Sequence, residues 1–271
     1  ETALALRFTL AGVVWWVLLL ARGQPFWPGI SQVAKAAGIG ALFYATNALA
    51  YYQGTALVSG SLAAMAIAGV PIVVALLAWV FLRERLGWTG WLALALAVTG
   101  GVMLAGAPEG HADPLGLLWL GGAVLLYSLY IVVSTSVTRS LSPSVATFYV
   151  IVGGAAFYWL WGGLAGRLDF GFAPGGWTAI VGLAMIPTVL AMFAFLVGAG
   201  IVGATRAAIV NSLEPVVGVL LSILFLGDRP SPLQIAGGGL VVLAAVLVQW
   251  GRAGRSRETR AQGDREREDS R

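Results

Sequence analysis

The sequence predicts an all-α fold, a polytopic bundle of membrane-spanning helices, and three observations carry that prediction. The first is composition. Of 271 residues, 59% are hydrophobic and only 10% charged, with a mean hydropathy of +0.87, far more apolar than a water-soluble domain. The second is a succession of apolar runs long enough to cross about 30 Å of hydrocarbon, for which a helix needs about 20 residues. The third is the charge, which gathers in the short breaks between those runs and in the C-terminal tail.

Nine runs qualify, at about 3–21, 35–54, 57–82, 86–106, 115–138, 145–165, 176–198, 202–226 and 232–250. The first is N-terminal, as a signal peptide would be, but it lacks a basic leading segment and a small-residue cleavage site, so it reads as a span. The chain begins with Glu1 rather than Met, which points to sequence upstream of it. Breaks such as Arg83-Glu84-Arg85 and residues 227–232 hold only a few residues, so successive helices are expected to be antiparallel neighbours. The 37 glycines suit helix backbones that approach closely in lipid. After Gly251 the chain carries seven basic and five acidic residues and almost nothing apolar, the composition of a solvated, disordered tail.

Lys and Arg set the orientation. Arg22 and Lys35, then Arg83 and Arg85, Arg139, Arg206, and finally Arg252, Arg255 and Arg257 mark alternate connections and the tail. The positive-inside rule makes those cytoplasmic, with the C-terminus inside a cell (inner) membrane and Glu1 outside. The connection 107–114, with Glu109, His111 and Asp113, is expected outside.

The chain also repeats itself. A displacement of 144 residues lays Pro71–Arg85 over Pro215–Arg229 with seven of fifteen positions identical, sets Glu84 on Asp228, and carries Gly38 and Gly54 onto Gly182 and Gly198. Five helices separate the matched elements, so the second copy is expected upside down relative to the first, the inverted-repeat arrangement of many secondary transporters. The division expected is a first repeat at 1–106, an external linker at 107–114, a second repeat of five helices at 115–250 and a tail at 251–271.

These residues reach a known family. Arg7-Phe8 at the start of the first run, the Pro71–Arg85 segment and the stretch from Ala204 to Arg229, with its Glu-Pro pair and short acidic turn, resemble the drug/metabolite transporter superfamily, specifically its EamA-type ten-helix members. The resemblance implies two five-helix halves, with one helix of the first half belonging ahead of Glu1. It also implies a transporter, exporting in direction, of amino acids, other metabolites or drugs.

Glu214 is the acid that lies well inside an apolar run, and an ionisable group there is a functional hypothesis by default. It could bind a proton or a substrate ammonium group; alternatively, polar groups around it serve only the backbone that Pro215 interrupts near Asn211. Ala207, Asn211, Glu214 and Gly218 share one helical face, expected to look inward. Asn47, Tyr51, Tyr127 and Tyr130 are the other candidates for a solute cavity, because a buried amide or phenol needs a partner that a solute can supply. Pro71, Pro187 and Pro215 are candidate hinges or kinks. Trp15, Trp16, Trp88, Trp91 and Trp250 are expected at the headgroup belt.

Several chemistries fall away. Without cysteine there are no disulfides or thiolate metal sites. His111 stands alone in a loop, no catalytic cluster of acids, His or Ser-Lys recurs inside the spans, and no phosphate-cradling loop is present. No metal, cofactor or nucleic acid is therefore expected, and no enzyme. The expected partners are a small-molecule substrate, the lipid bilayer and a proton as coupling ion. A polytopic enzyme and a non-transporting membrane subunit stand as the alternatives to a secondary transporter.

Overall fold

The computed structural model describes residues 2–23, 27–106, 113–137, 141–171, 173–226 and 229–248. Among them every regular element is helical: α1 (Thr2–Ala21), α2 (Ile30–Ile39), a π-helical turn (Gly40–Ala45), α3 (Thr46–Thr55), α4 (Gly60–Ala68), α5 (Val70–Leu82), α6 (Trp88–Ala105), α7 (Pro114–Val137), α8 (Pro143–Leu164), α9 (Pro174–Leu183), a second π-helical turn (Ala184–Leu190), α10 (Ala191–Val202), α11 (Ala204–Asn211) and α12 (Leu213–Leu226). A last helix, α13, spans Pro232–Val248. Seven of the resulting helical stretches are long and apolar enough to cross a membrane. The α2–α3 stretch carries Gln32, Lys35, Asn47 and Gln53 and is more polar, while α13 has the apolarity but is shorter.

Local chemistry explains the boundaries. Pro114, Pro143, Pro174 and Pro232 each open a helix, where a fixed φ helps and the missing N–H is not needed. Ser59 and Ser142 cap α4 and α8 by accepting from the amides of Leu62 and Val145, both at 3.4 Å. Gly203 separates α10 from α11 at φ +90°, a conformation that favours glycine. The N-terminus of α11 is then taken up from across the bundle. Glu84, just past α5, accepts from the amides of Ala204 at 2.9 Å and Thr205 at 3.3 Å and from the Thr205 hydroxyl at 2.9 Å.

The helix boundaries keep the periodicity found in the sequence. Ile30, the start of α2, is carried by the 144-residue displacement onto Pro174, the start of α9; Gly40 and Ala184 open the two π-turns; Gly60 and Ala204 open α4 and α11; Trp88 and Pro232 open α6 and α13.

In lipid, apolar burial does not drive helices together, so close packing of small residues does more of the work. Gly40 of the first π-turn meets the Val150 carbonyl of α8 with no room for a Cβ, and Gly153 of α8 meets the Ala37 carbonyl of α2 in the same way. Gly100 of α6 and Gly237 of α13 face each other so that added Cβ atoms would lie 2.6 and 2.7 Å from the opposite carbonyls. Phe8 of α1 fills the notch left by Gly154 on α8. Ala5, Phe8, Ala11, Trp15 and Leu19 form the buried stripe of α1 that faces this core.

Candidate functional site

The site grows out of the two π-turns, which fall near the middle of their spans. A π-turn adds a residue to the helical ladder and leaves backbone groups to be satisfied from outside it. In the first turn, the Tyr158 hydroxyl donates to the Ala45 carbonyl at 2.9 Å, and the Thr46 hydroxyl donates back to Leu42. In the second, Pro187 lacks the N–H that would normally bond the Leu183 carbonyl. The Thr188 hydroxyl donates to that carbonyl at 3.0 Å and accepts from Arg7 Nε at 2.6 Å. Proline, threonine and arginine are thus linked: the π register pairs the carbonyl that Pro187 cannot bond with the Thr188 amide, the Thr188 hydroxyl adds a second donor to it, and a lone pair of that hydroxyl orients the guanidinium. The Tyr44 hydroxyl stands beside the same guanidinium from the first π-turn. Tyr44 and Thr188 correspond under the 144-residue displacement, so Arg7 lies between equivalent positions of the two broken helices.

An aromatic cluster continues from this point. Tyr44 packs on Phe8 edge-on at 5.6 Å and on Tyr130 at 5.0 Å, and Tyr130 stacks with Tyr127 at 6.1 Å and Phe195 at 6.3 Å. Asn211, at the end of α11, donates from Nδ2 to the Tyr127 hydroxyl at 3.3 Å. The turn at Ser212 and Pro215 in the first turn of α12 interrupt that span just beyond Asn211. The Tyr130 hydroxyl is buried and has no hydrogen-bond partner among the described residues. The assembly offers a fixed cation, several phenols and an amide against flat apolar walls, which is equipment for binding a small solute.

The EamA-like transporter family model matches residues 1–106 and 114–250, almost the whole of the described helical region. The chain belongs to the EamA-like transporter family. Relatives of this EamA-like chain include the uncharacterized transporter YdfC of Bacillus subtilis, 25% identical over 88% of this chain and 78% of that protein. The uncharacterized transporter sll0355 of Synechocystis is 29% identical over 87% and 76%. A probable terminal-alkyne amino-acid exporter of Streptantibioticus cattleyicolor is 28% identical over 75% and 68%. One solved crystal structure superposes with a TM-score of 0.74 at 24% identity, covering 91% of this chain and 85% of its own, and so shares the fold. Fold and family together make this a multi-pass membrane protein of a transporter family.

Within this EamA-like transporter, Tyr127, Tyr130 and Asn211 meet directly. Asn47 is half-buried on α3, one turn beyond Tyr44, and Tyr51 lies a further turn along, against Tyr52 and a small cluster with Val58, Ala63 and Leu120. Glu214 is exposed at the start of α12, within electrostatic reach of Tyr44, Tyr51 and Tyr127. Its helical face runs from buried Ala207 through half-buried Asn211 to exposed Glu214 and Gly218. Pro71 and Pro215 both fall in the first turn of a second half-helix, α5 and α12, whereas Pro187 is inside a π-turn. Trp15 corrects an expectation. It is 3% exposed and packs on Phe193 at 4.9 Å, so it belongs to the core and not to the headgroup belt, because it lies on the buried stripe of α1 with Phe8, Ala11 and Leu19. Trp16, Trp88 and Trp91 are exposed; Trp250 and the C-terminal tail lie outside the described residues.

Sequence reasoning used Arg7 only as a family marker and did not single out Tyr44 or Thr188 as a pair. The signal for Arg7 was present, since it is the one charged residue of α1. Its partner Thr188 is 181 residues away, and no local pattern announces that contact.

Proposed function

We propose that this protein is a secondary transporter that moves small metabolites, amino acids among them, across a cell (inner) membrane by alternating access, in the exporting direction. The observation that carries this reading is the meeting of two interrupted helices, equivalent under the 144-residue displacement, around Arg7 and the tyrosine cluster. Broken helices that expose polar groups at mid-membrane are costly unless a solute or ion uses them, and they are the usual site of substrate in carriers built from inverted repeats. The repeated boundaries support reading the chain as two inverted halves that rock about that site. Family membership and relatives named as transporters, one of them a probable amino-acid exporter, support the same class. The alternating positive charge of the loops supports a cytoplasmic C-terminus.

Glu214 is the proposed proton-coupling group, and Asn47, Tyr51, Tyr127, Tyr130 and Asn211 the proposed lining of the cavity. The test is flux of labelled amino acids in proteoliposomes, with and without a pH gradient. Gradient-stimulated flux that Glu214→Gln removes is the expected result; absence of flux for any solute, or a Glu214→Gln variant that responds fully to the gradient, would count against the carrier or its coupling respectively.

A further inference from the structure

We propose that Arg7, with the hydroxyls of Tyr44 and Tyr130, forms a subsite for the carboxylate of the transported solute. The inference rests on the carrier reading above and adds the chemical class of the solute and the residue that selects it. Arginine stays charged at any physiological pH and offers five N–H donors in a fixed fork that fits a carboxylate. Here Nε is committed to Thr188 Oγ1 at 2.6 Å, which fixes the plane of the guanidinium. The guanidinium carries no ion-pair partner among the described residues. A cation within a span that lacks a counter-ion is expensive, and a substrate anion is the group that removes the penalty.

The second, independent observation is Tyr130. Its side chain is 2% exposed, its hydroxyl finds no partner among the described residues, and its ring lies 5.0 Å from that of Tyr44, which itself borders Arg7. A buried phenol left without an acceptor is rare, because the hydration it gives up goes uncompensated. An acceptor arriving between Arg7 and Tyr130 would satisfy both. Lysine could not replace Arg7 fully, because an ammonium lacks the fork that bonds Thr188 and a ligand at once.

The experiment compares an amino acid, its carboxamide and its decarboxylated amine, together with a lipophilic cation, for flux in proteoliposomes holding the full protein, Arg7→Gln or Arg7→Lys. The subsite predicts flux of the acid at least tenfold above that of the amide for the native protein. Arg7→Gln should level that ratio and Arg7→Lys should restore part of it. A monodisperse Arg7→Gln that keeps the native ratio overturns the assignment of Arg7 while leaving the carrier intact. Flux of amine, amide or cation in preference to the acid overturns the carboxylate subsite and again leaves the carrier. No flux of any solute removes the carrier reading and the subsite with it. If Arg7→Gln does not fold, the native protein in detergent still decides: a melting temperature raised by the acid and not by its amide supports the subsite, and equal shifts overturn it.

Discussion

The two π-turns occupy equivalent positions, yet they are built differently. The first, Gly40–Ala45, contains no proline and is held from outside by the Gly40–Val150 backbone contact and the Tyr158 hydroxyl. The second, Ala184–Leu190, carries Pro187 and begins with Ala184, whose Cβ is accommodated although the residue is fully buried. A distortion that arises without proline in one copy belongs to the packing of the bundle, not to a single helix breaker. Proline decides something narrower, namely that the Leu183 carbonyl is bonded from Thr188, whose hydroxyl in turn aims Arg7.

The largest effect that should separate the two turns is a methyl group. Gly40→Ala drives a Cβ into the Val150 carbonyl, which cannot yield as a flexible side chain would, and should destabilise the protein by about 3 kcal/mol or more. Ala184→Gly at the equivalent position should cost about 1 kcal/mol. Thermal unfolding in detergent measures both, and equal losses would break the comparison.

Hydroxyl deletions come next. Tyr158→Phe removes the hydroxyl's bond to the Ala45 carbonyl in a fully buried setting and should cost about 1 kcal/mol. Thr188→Val removes the hydroxyl's bond to the Leu183 carbonyl, which keeps its π-register amide, and should cost about 1 kcal/mol, but it alone should also lower solute affinity, because it releases Arg7. A Tyr158→Phe variant with an equal loss of affinity would mean that the two turns are not functionally distinct.

At the far end of the bundle, Glu84→Gln weakens the cap on α11 and should lower stability by about 1 kcal/mol with solute selectivity unchanged, read from the melting temperature and the acid-to-amide flux ratio. The smallest effect belongs to Pro187→Ala. Since the first turn needs no proline, the second should survive the change, and stability should shift by less than about 1 kcal/mol.

Much of the fold was legible because lipid imposes it: apolar runs of the necessary length at 115–138 and 145–165 became α7 at Pro114–Val137 and α8 at Pro143–Leu164. The run expected from residue 35 begins at Ile30 instead, because Ser31 and Gln32 read as loop residues by composition yet sit comfortably in the first turn of a helix at the membrane edge. Pro187 signalled a break but not its π register, and nothing in Gly40–Ala45 signalled one at all, since that register is set by α8 packing across the turn. The tyrosines and Asn211 were legible as polar groups within apolar helices. The Arg7–Thr188 bond was not, because it joins helices far apart in sequence.

The most direct test of a solute site between the two π-turns exploits the absence of native cysteine, which makes any introduced thiol unique. Asn47→Cys, one turn from Tyr44, should react with a water-soluble maleimide and be protected by a transported amino acid, while Leu224→Cys on the exposed face of α12 should show no protection. Protection at Asn47 alone is the predicted result. An unchanged labelling rate at Asn47→Cys, under conditions in which that variant still transports the amino acid, would contradict the account.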